Sequence, residues 1–398
     1  MIERFLFFSL SLYLIFIPLG NALLFISGDL KIDVVISIYL FLISVFYYIG
    51  SRSKFSRINI LYFLLFLLLF FSFVVSSVFS DNILKSIEGS VIILGYAWIS
   101  GCFAFFLSDK KRINYLYNIL FIALVISLII QIISVSGIID NPWRRATIPV
   151  VVLQPFSLYI PSGDIKTDPN VLAFGIVLTY FFLLSSPLSL FKRFLLFFIV
   201  LSSLIMTESR SACIGFAFCM IMYIIHNIHS KKKTVFRFNN VTILFMLTTI
   251  VFFILYLYFE KNVSNSVIER FLSVGNDASS NTRLYGINLS VELIADSDMT
   301  SLFIGHGVNS IFSHVDPHNI FIAATYNQGF LGLFVIVSYF ILMLFFASKS
   351  DEYKTLSYSI TLFLFIISNF YWQTKILWVG FLFVMILYYR CERRCLCL

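Results

Sequence analysis

Three histidines and an aspartate crowd into one short stretch, Gly305-His306-Gly307 followed by His314-Val315-Asp316-Pro317-His318-Asn319. An imidazole titrates near neutrality, so it can take a proton from a hydroxyl or ligate a metal. A zinc site would draw on the same residue types, yet these spacings follow no standard ligand pattern and supply only one nearby carboxylate. No metal is therefore expected. His318 is the candidate general base, because it opens an apolar stretch where an outward-facing vestibule would meet the membrane.

The second chemical resource is arginine. Glu208-Ser209-Arg210-Ser211 is a polar island between two apolar segments, either a plain external turn or a broken, re-entrant helix pair that holds Arg210 at membrane depth. The two segments are short for a crossing of about 30 Å, which favours the re-entrant form. Arg283 opens a stretch with Leu284, Ile287, Val291 and Ile294 at helical spacing, which predicts an amphipathic helix lying in the interface plane. Arg144 and Arg145 follow Trp143, a cluster that anchors at an interface or binds an anion. Guanidinium forks are natural bidentate partners of phosphate, and all three elements face the same side.

The elements that must carry these residues are set by composition. Of 398 residues, 60% are hydrophobic and 12% charged, against roughly 45–50% apolar and about 25% charged in soluble proteins. A soluble enzyme, a nucleic-acid binder and a disordered chain are excluded. The fold expected is all-α, a polytopic integral membrane protein of about 12 transmembrane helices in a single membrane domain, 1–398. Spans are expected near 5–26, 34–50, 58–80, 88–107, 114–136, 168–190, 194–208, 211–228, 241–260, 318–347, 355–370 and 376–390. The first is read as a retained span, since it lacks a small-residue cleavage site and exceeds a signal core.

Basic clusters fall in alternate connections, from Arg52, Lys54 and Arg57 through to Arg390, Arg393 and Arg394. By the positive-inside rule these connections and both termini are cytoplasmic. Two long loops, about 137–167 and 261–317, then lie outside with the candidate residues. The cytoplasmic connections are short and lack a phosphate-cradling Gly-rich loop, so no ATP use is expected. The six cysteines lie away from the external loops, which predicts a reduced set without a disulfide framework.

Taken in order, these elements resemble the bacterial O-antigen ligase and Wzy-type polymerase superfamily. His318-Asn319, nine residues, then Gly329-Phe330-Leu331-Gly332 is similar to that group's His-Asn-x9-Gly-x-x-Gly pattern. Thr207-Glu208-Ser209-Arg210-Ser211 is similar to its Ser-Arg element. Asn281-Thr282-Arg283, leading into Phe303-Ile304-Gly305-His306-Gly307, resembles its Arg…Gly-x-Gly stretch, and Asp168-Pro169-Asn170 its Asp-Pro-Asn.

The resemblance implies a metal-independent, cofactor-free membrane glycosyltransferase of the bacterial inner membrane, working at the periplasmic face. Its donor would be an undecaprenyl-pyrophosphate-linked oligosaccharide. Arg210 and Arg283 would hold the pyrophosphate, His318 would activate or orient the acceptor hydroxyl, and Arg144, Arg145, Asp168, Asn170, Gly305, His306, Gly307 and Asn319 would contribute to substrate binding. Expected partners are the lipid-linked oligosaccharide, membrane lipid and a chain-length regulator protein, with no nucleic acid.

An O-antigen polymerase is the first reading. A ligase that moves finished polymer onto lipid A-core is the alternative, kept open because Pro155, Phe156 and Asn281 stand where two Arg-x10-Gly motifs of the polymerases would need glycine. A flippase or secondary transporter comes third, because the polar residues concentrate at the outer edge rather than at the midplane.

Overall fold

The computed structural model describes residues 2–19, 24–27, 30–50, 60–135, 151–154, 157–159, 169–207, 209–229, 278–308, 310–368 and 375–395. Helices dominate. They are α1 (Ile2–Ile15), α2 (Ile32–Gly50), α3 (Ile60–Val78), α4 (Ile83–Leu107), α5 (Lys110–Val135), α6 (Pro169–Leu183), α7 (Leu190–Thr207), α8 (Arg210–His229), α9 (Ala278–Ala295), α10 (Met299–Ile304), α11 (Ile320–Ser348), α12 (Lys354–Ser368) and α13 (Lys375–Cys395). Among the described residues, α3, α4, α5 and α11 are long and apolar enough to cross a membrane. The protein is a membrane-embedded helical bundle. The expected span 241–260 lies outside the described residues, as do most of the first expected long loop and residues 261–277 of the second.

The first expected span, 5–26, is corrected. Helix α1 stops at Ile15, about 21 Å from its start, short of a hydrocarbon core of about 30 Å. Ile17 N–H closes the turn on the Leu14 carbonyl at 3.1 Å, and Pro18, which has no N–H, cannot extend the ladder. The chain then forms β1 (Leu24–Ser27) and β2 (Leu30–Lys31). β1 pairs in parallel with β3 (Val151–Gln154), which pairs antiparallel with β4 (Ser157–Tyr159), giving the order β2-β1-β3-β4. This small sheet is an addition to the all-α expectation.

Close helix packing rests on small residues. Gly101 of α4 lies against the Tyr62 ring of α3, whose hydroxyl donates to the Ala97 carbonyl at 2.7 Å. Gly175 of α6 abuts the Ile17 carbonyl, and Gly215 of α8 faces Phe363 of α12. Phe182 and Phe383 stack at 3.9 Å between α6 and α13. At the basic end, Arg112 meets Glu3 at 2.8 Å and Arg390 donates to Tyr117 at 2.7 Å, tying α1, α5 and α13 together.

Helix α11 is the element that positions the site. It is not one straight rod. Gly329 takes φ 68 and ψ −165, a region open essentially to glycine alone, and there the helix breaks. A Cβ on Gly332 would lie 3.1 Å from the Ala324 carbonyl oxygen, and the Phe321 and Phe340 rings are 5.8 Å apart. On a straight helix those pairs would be separated by about 12 and 28 Å. The chain therefore doubles back, with a short arm, 320–328, lying beside a long arm, 330–348. The expected single span 318–347 is corrected accordingly. The long arm of about 28 Å is the spanning-length piece. The short arm carries its start, His318 and Asn319, down to the level of Phe340.

Candidate functional site

The short arm begins at a cap. Asn319 has extended backbone, and its Oδ1 accepts from the Phe321 and Ile322 amides at 2.9 and 3.1 Å, satisfying two of the helix's orphan donors. Just before it, His318 has φ 46, a left-handed conformation unusual for a residue with a side chain. The Asp316 carboxylate holds this turn. Its Oδ1 accepts from the His318 backbone N–H at 2.8 Å, and its Oδ2 stands 3.4 Å from the imidazole Nδ1. The imidazole side chain is 26% exposed. Asp316 belonged to the polar stretch noted from sequence but carried no assigned role there. The signal was present in the Asp-x-His spacing, since aspartate commonly bonds the amide two residues on.

The break above His318 is satisfied from outside the helix. In an unbroken helix the Tyr326 and Asn327 carbonyls would accept from residues 330 and 331. Instead they accept from the His306 and Gly307 amides at 3.1 and 2.9 Å. Gly305 (φ 80) and Gly307 (φ 97) shape this segment, and a Cβ on Gly305 would run into the Asn327 carbonyl. The Asn327 side chain, fully buried, accepts from Ile311 N–H at 3.1 Å. Ser86 of α4 accepts from Val308 N–H at 2.8 Å and bonds Ser77 of α3 at 2.8 Å. Gly305, His306 and Gly307, expected to bind substrate, thus lie against the short arm at its break.

His306 has partners of its own. Its Nε2 is 2.9 Å from the Ser297 hydroxyl and its ring stacks on Tyr326 at 4.4 Å. Burial pulls its pKa below the ordinary value, Asp298 and Asp81 oppose that, and His314 adds to the lowering. Asp298 caps α10 through the Ser301 and Thr300 amides, and the hydrogen bond to Ser301 leads in holding its carboxyl below the usual range.

Arg283 lies in the first half of α9 and is half-buried. Gly286, one turn on, is buried, and a Cβ there would stand 2.6 Å from the Asp316 carbonyl oxygen. Residues three apart share a helix face, so Arg283 lies on the side of α9 that meets the His318 loop. Leu284 and Val291 of the expected apolar stripe are exposed, Ile287 is half-buried, Ile294 packs on the core, and Gly286 and Ser290 are buried.

Two further elements come together at a distance in sequence. Asn170, in the first turn of α6 after Pro169, accepts through Oδ1 from the Ser209 hydroxyl at 2.8 Å. Ser209 is buried and precedes Arg210, the first residue of α8. Helices α7 and α8 are separate elements of about 27 and 30 Å, ending at Thr207 and beginning at Arg210. Arg144, Arg145 and Asp168 lie outside the described residues.

Among the described residues no three His, Cys, Asp or Glu side chains gather as a metal would require. What the corner can do chemically is accept a proton at His318 and stabilise negative charge with guanidinium. No protein-family model matches the chain, and a search of curated proteins returns no match.

Proposed function

We propose that the chain is a Wzy-type O-antigen polymerase, joining undecaprenyl-pyrophosphate-linked oligosaccharide repeats at the periplasmic face of the bacterial inner membrane. The observation that carries the reading is the seating of α9 on the Asp316 carbonyl, which brings the helix bearing Arg283 to the loop bearing His318. His318 takes the acceptor hydroxyl's proton. The freed oxygen attacks the anomeric carbon, and that carbon's bond to the pyrophosphate oxygen breaks. Arg210 and Arg283 stabilise the charge growing on the leaving pyrophosphate, the kind of electrostatic contribution that usually dominates. The energy is already in the donor, so the reaction calls for neither nucleotide nor metal. The reading includes a chain-length regulator as partner.

The test is a silver-stained lipopolysaccharide gel of a deletion strain, complemented with wild type or with His318→Ala. Core carrying a single repeat in both the deletion and the His318→Ala strain supports the polymerase. Bare core with polymer accumulating on undecaprenyl pyrophosphate would make the chain a ligase. Wild-type chain lengths from His318→Ala, with the protein in the membrane, would remove His318 from the chemistry and with it this reading.

A further inference from the structure

We infer that Asp316 is the positioning residue of His318, fixing the imidazole as the Nδ1–H tautomer so that Nε2 is the atom that takes the proton. The inference rests on the reading of His318 as base. The carboxylate addresses His318 at two points. Oδ1 binds its backbone N–H at 2.8 Å and thereby holds the φ 46 turn, while Oδ2 faces Nδ1 at 3.4 Å. A carboxylate only accepts, so the ring nitrogen facing it must be the one that carries hydrogen. Nε2 is then the lone-pair nitrogen.

The two contacts divide the labour in a way that simple capping does not. In the transfer step the acceptor O–H bond breaks and Nε2–H forms. The acceptor oxygen bonds the anomeric carbon, whose electron pair to the pyrophosphate oxygen departs with that group. The ring is then an imidazolium with both nitrogens protonated, and the Asp316 charge stabilises it before Nε2 returns its proton to solvent. Asp316 touches neither substrate nor reacting atom. It acts through the ring, as the aspartate of a Ser-His-Asp triad does.

Asp316→Asn separates the two roles. The asparagine Oδ1 still accepts from the His318 amide, so the turn keeps its cap. Its Nδ2 donates toward Nδ1, which reverses the tautomer. Removing the aspartate of a buried triad in this way costs about 10⁴-fold in kcat, and with Asp316 and His318 both partly exposed a loss of about 10²-fold is expected, with KM within threefold.

The experiment combines turnover of purified lipid-linked repeats with ¹⁵N-histidine NMR of the full chain in detergent at alkaline pH. The His318 signals are identified by their loss in His318→Gln. The expected result is Nδ1–H in wild type, Nε2–H in Asp316→Asn, and loss in kcat alone. An Nε2–H ring in wild type overturns the inference even if the variant fails to fold. So does an Asp316→Asn enzyme with wild-type kcat. His318→Ala inactive beside a fully active Asp316→Asn would sink this inference and leave the base reading standing. His318→Ala with wild-type turnover would sink both.

Discussion

Replacing Gly329 by alanine tests the doubling back of α11 directly. Its φ 68 and ψ −165 fall where an L side chain costs about 1–3 kcal/mol of backbone strain. The new Cβ would also meet the backbone carbonyl of Phe303, and inserting a methyl into a packed contact costs typically about 1–3 kcal/mol. Together these disfavour the folded-back arm by about 2–6 kcal/mol, enough to shift its population by a factor of roughly 30 to 10⁴. The relief available to the chain is to straighten, which separates Phe321 from Phe340. In a cysteine-free background, Phe321→Cys with Phe340→Cys should couple rapidly through a short thiol-reactive bis-maleimide, and adding Gly329→Ala should slow coupling at least tenfold. Gly95→Ala is the control, because a Cβ there meets nothing within 4 Å, and it should leave coupling unchanged. Equal coupling rates with and without Gly329→Ala would refute the strain argument.

Removing the Asn319 cap with Asn319→Ala should cost about 0.5–2 kcal/mol, seen as a lower thermal midpoint, while Asn319→Asp should recover most of it; an unshifted midpoint would count against the cap. His306 has a folded pKa lowered by burial, so stability should be complete above the unfolded value of about 6.5 and be lost as pH falls below it. Thermal unfolding between pH 7.5 and 5.5 should show this slope in wild type and a flatter one in His306→Gln; identical slopes would assign the effect elsewhere. If Arg210 and Arg283 grip pyrophosphate as forks, Arg210→Lys and Arg283→Lys should each lose at least about tenfold in kcat/KM, and full activity would reduce their role to simple charge.

Much of the helix pattern was legible because an apolar run is a strong signal. The starts of α6, α8 and α11 fall within two residues of the expected span starts at 168, 211 and 318, because the apolar runs begin there. The doubling back at Gly329 was not legible. A lone glycine inside a uniformly apolar stretch leaves hydropathy unchanged, and what makes it a turn is the carbonyl of Phe303, distant in sequence. The strands at 24–31 and 151–159 escaped notice because short apolar segments read alike as strand or as the end of a span. In the site, residue types pointed to His318, Arg210 and Arg283. Geometry alone could join Asn170 to Ser209, or turn Asp316 toward the ring. It also set the His306 and Gly307 amides on the carbonyls freed at the α11 break.

The exchange of partners at the α11 break ties distant segments into one opening unit. The Tyr326 and Asn327 carbonyls are bound by amides of 306 and 307, whose segment is itself held by Ser86 on α4. The short arm cannot lift away without stripping these bonds, and the 305–308 segment cannot leave without unpairing the carbonyls of two buried residues, each a cost of about 1–3 kcal/mol. Hydrogen exchange at the His306, Gly307, Val308 and Ile311 amides should therefore be governed by a single opening event, with one common protection level, even though these amides belong to no shared helix or sheet.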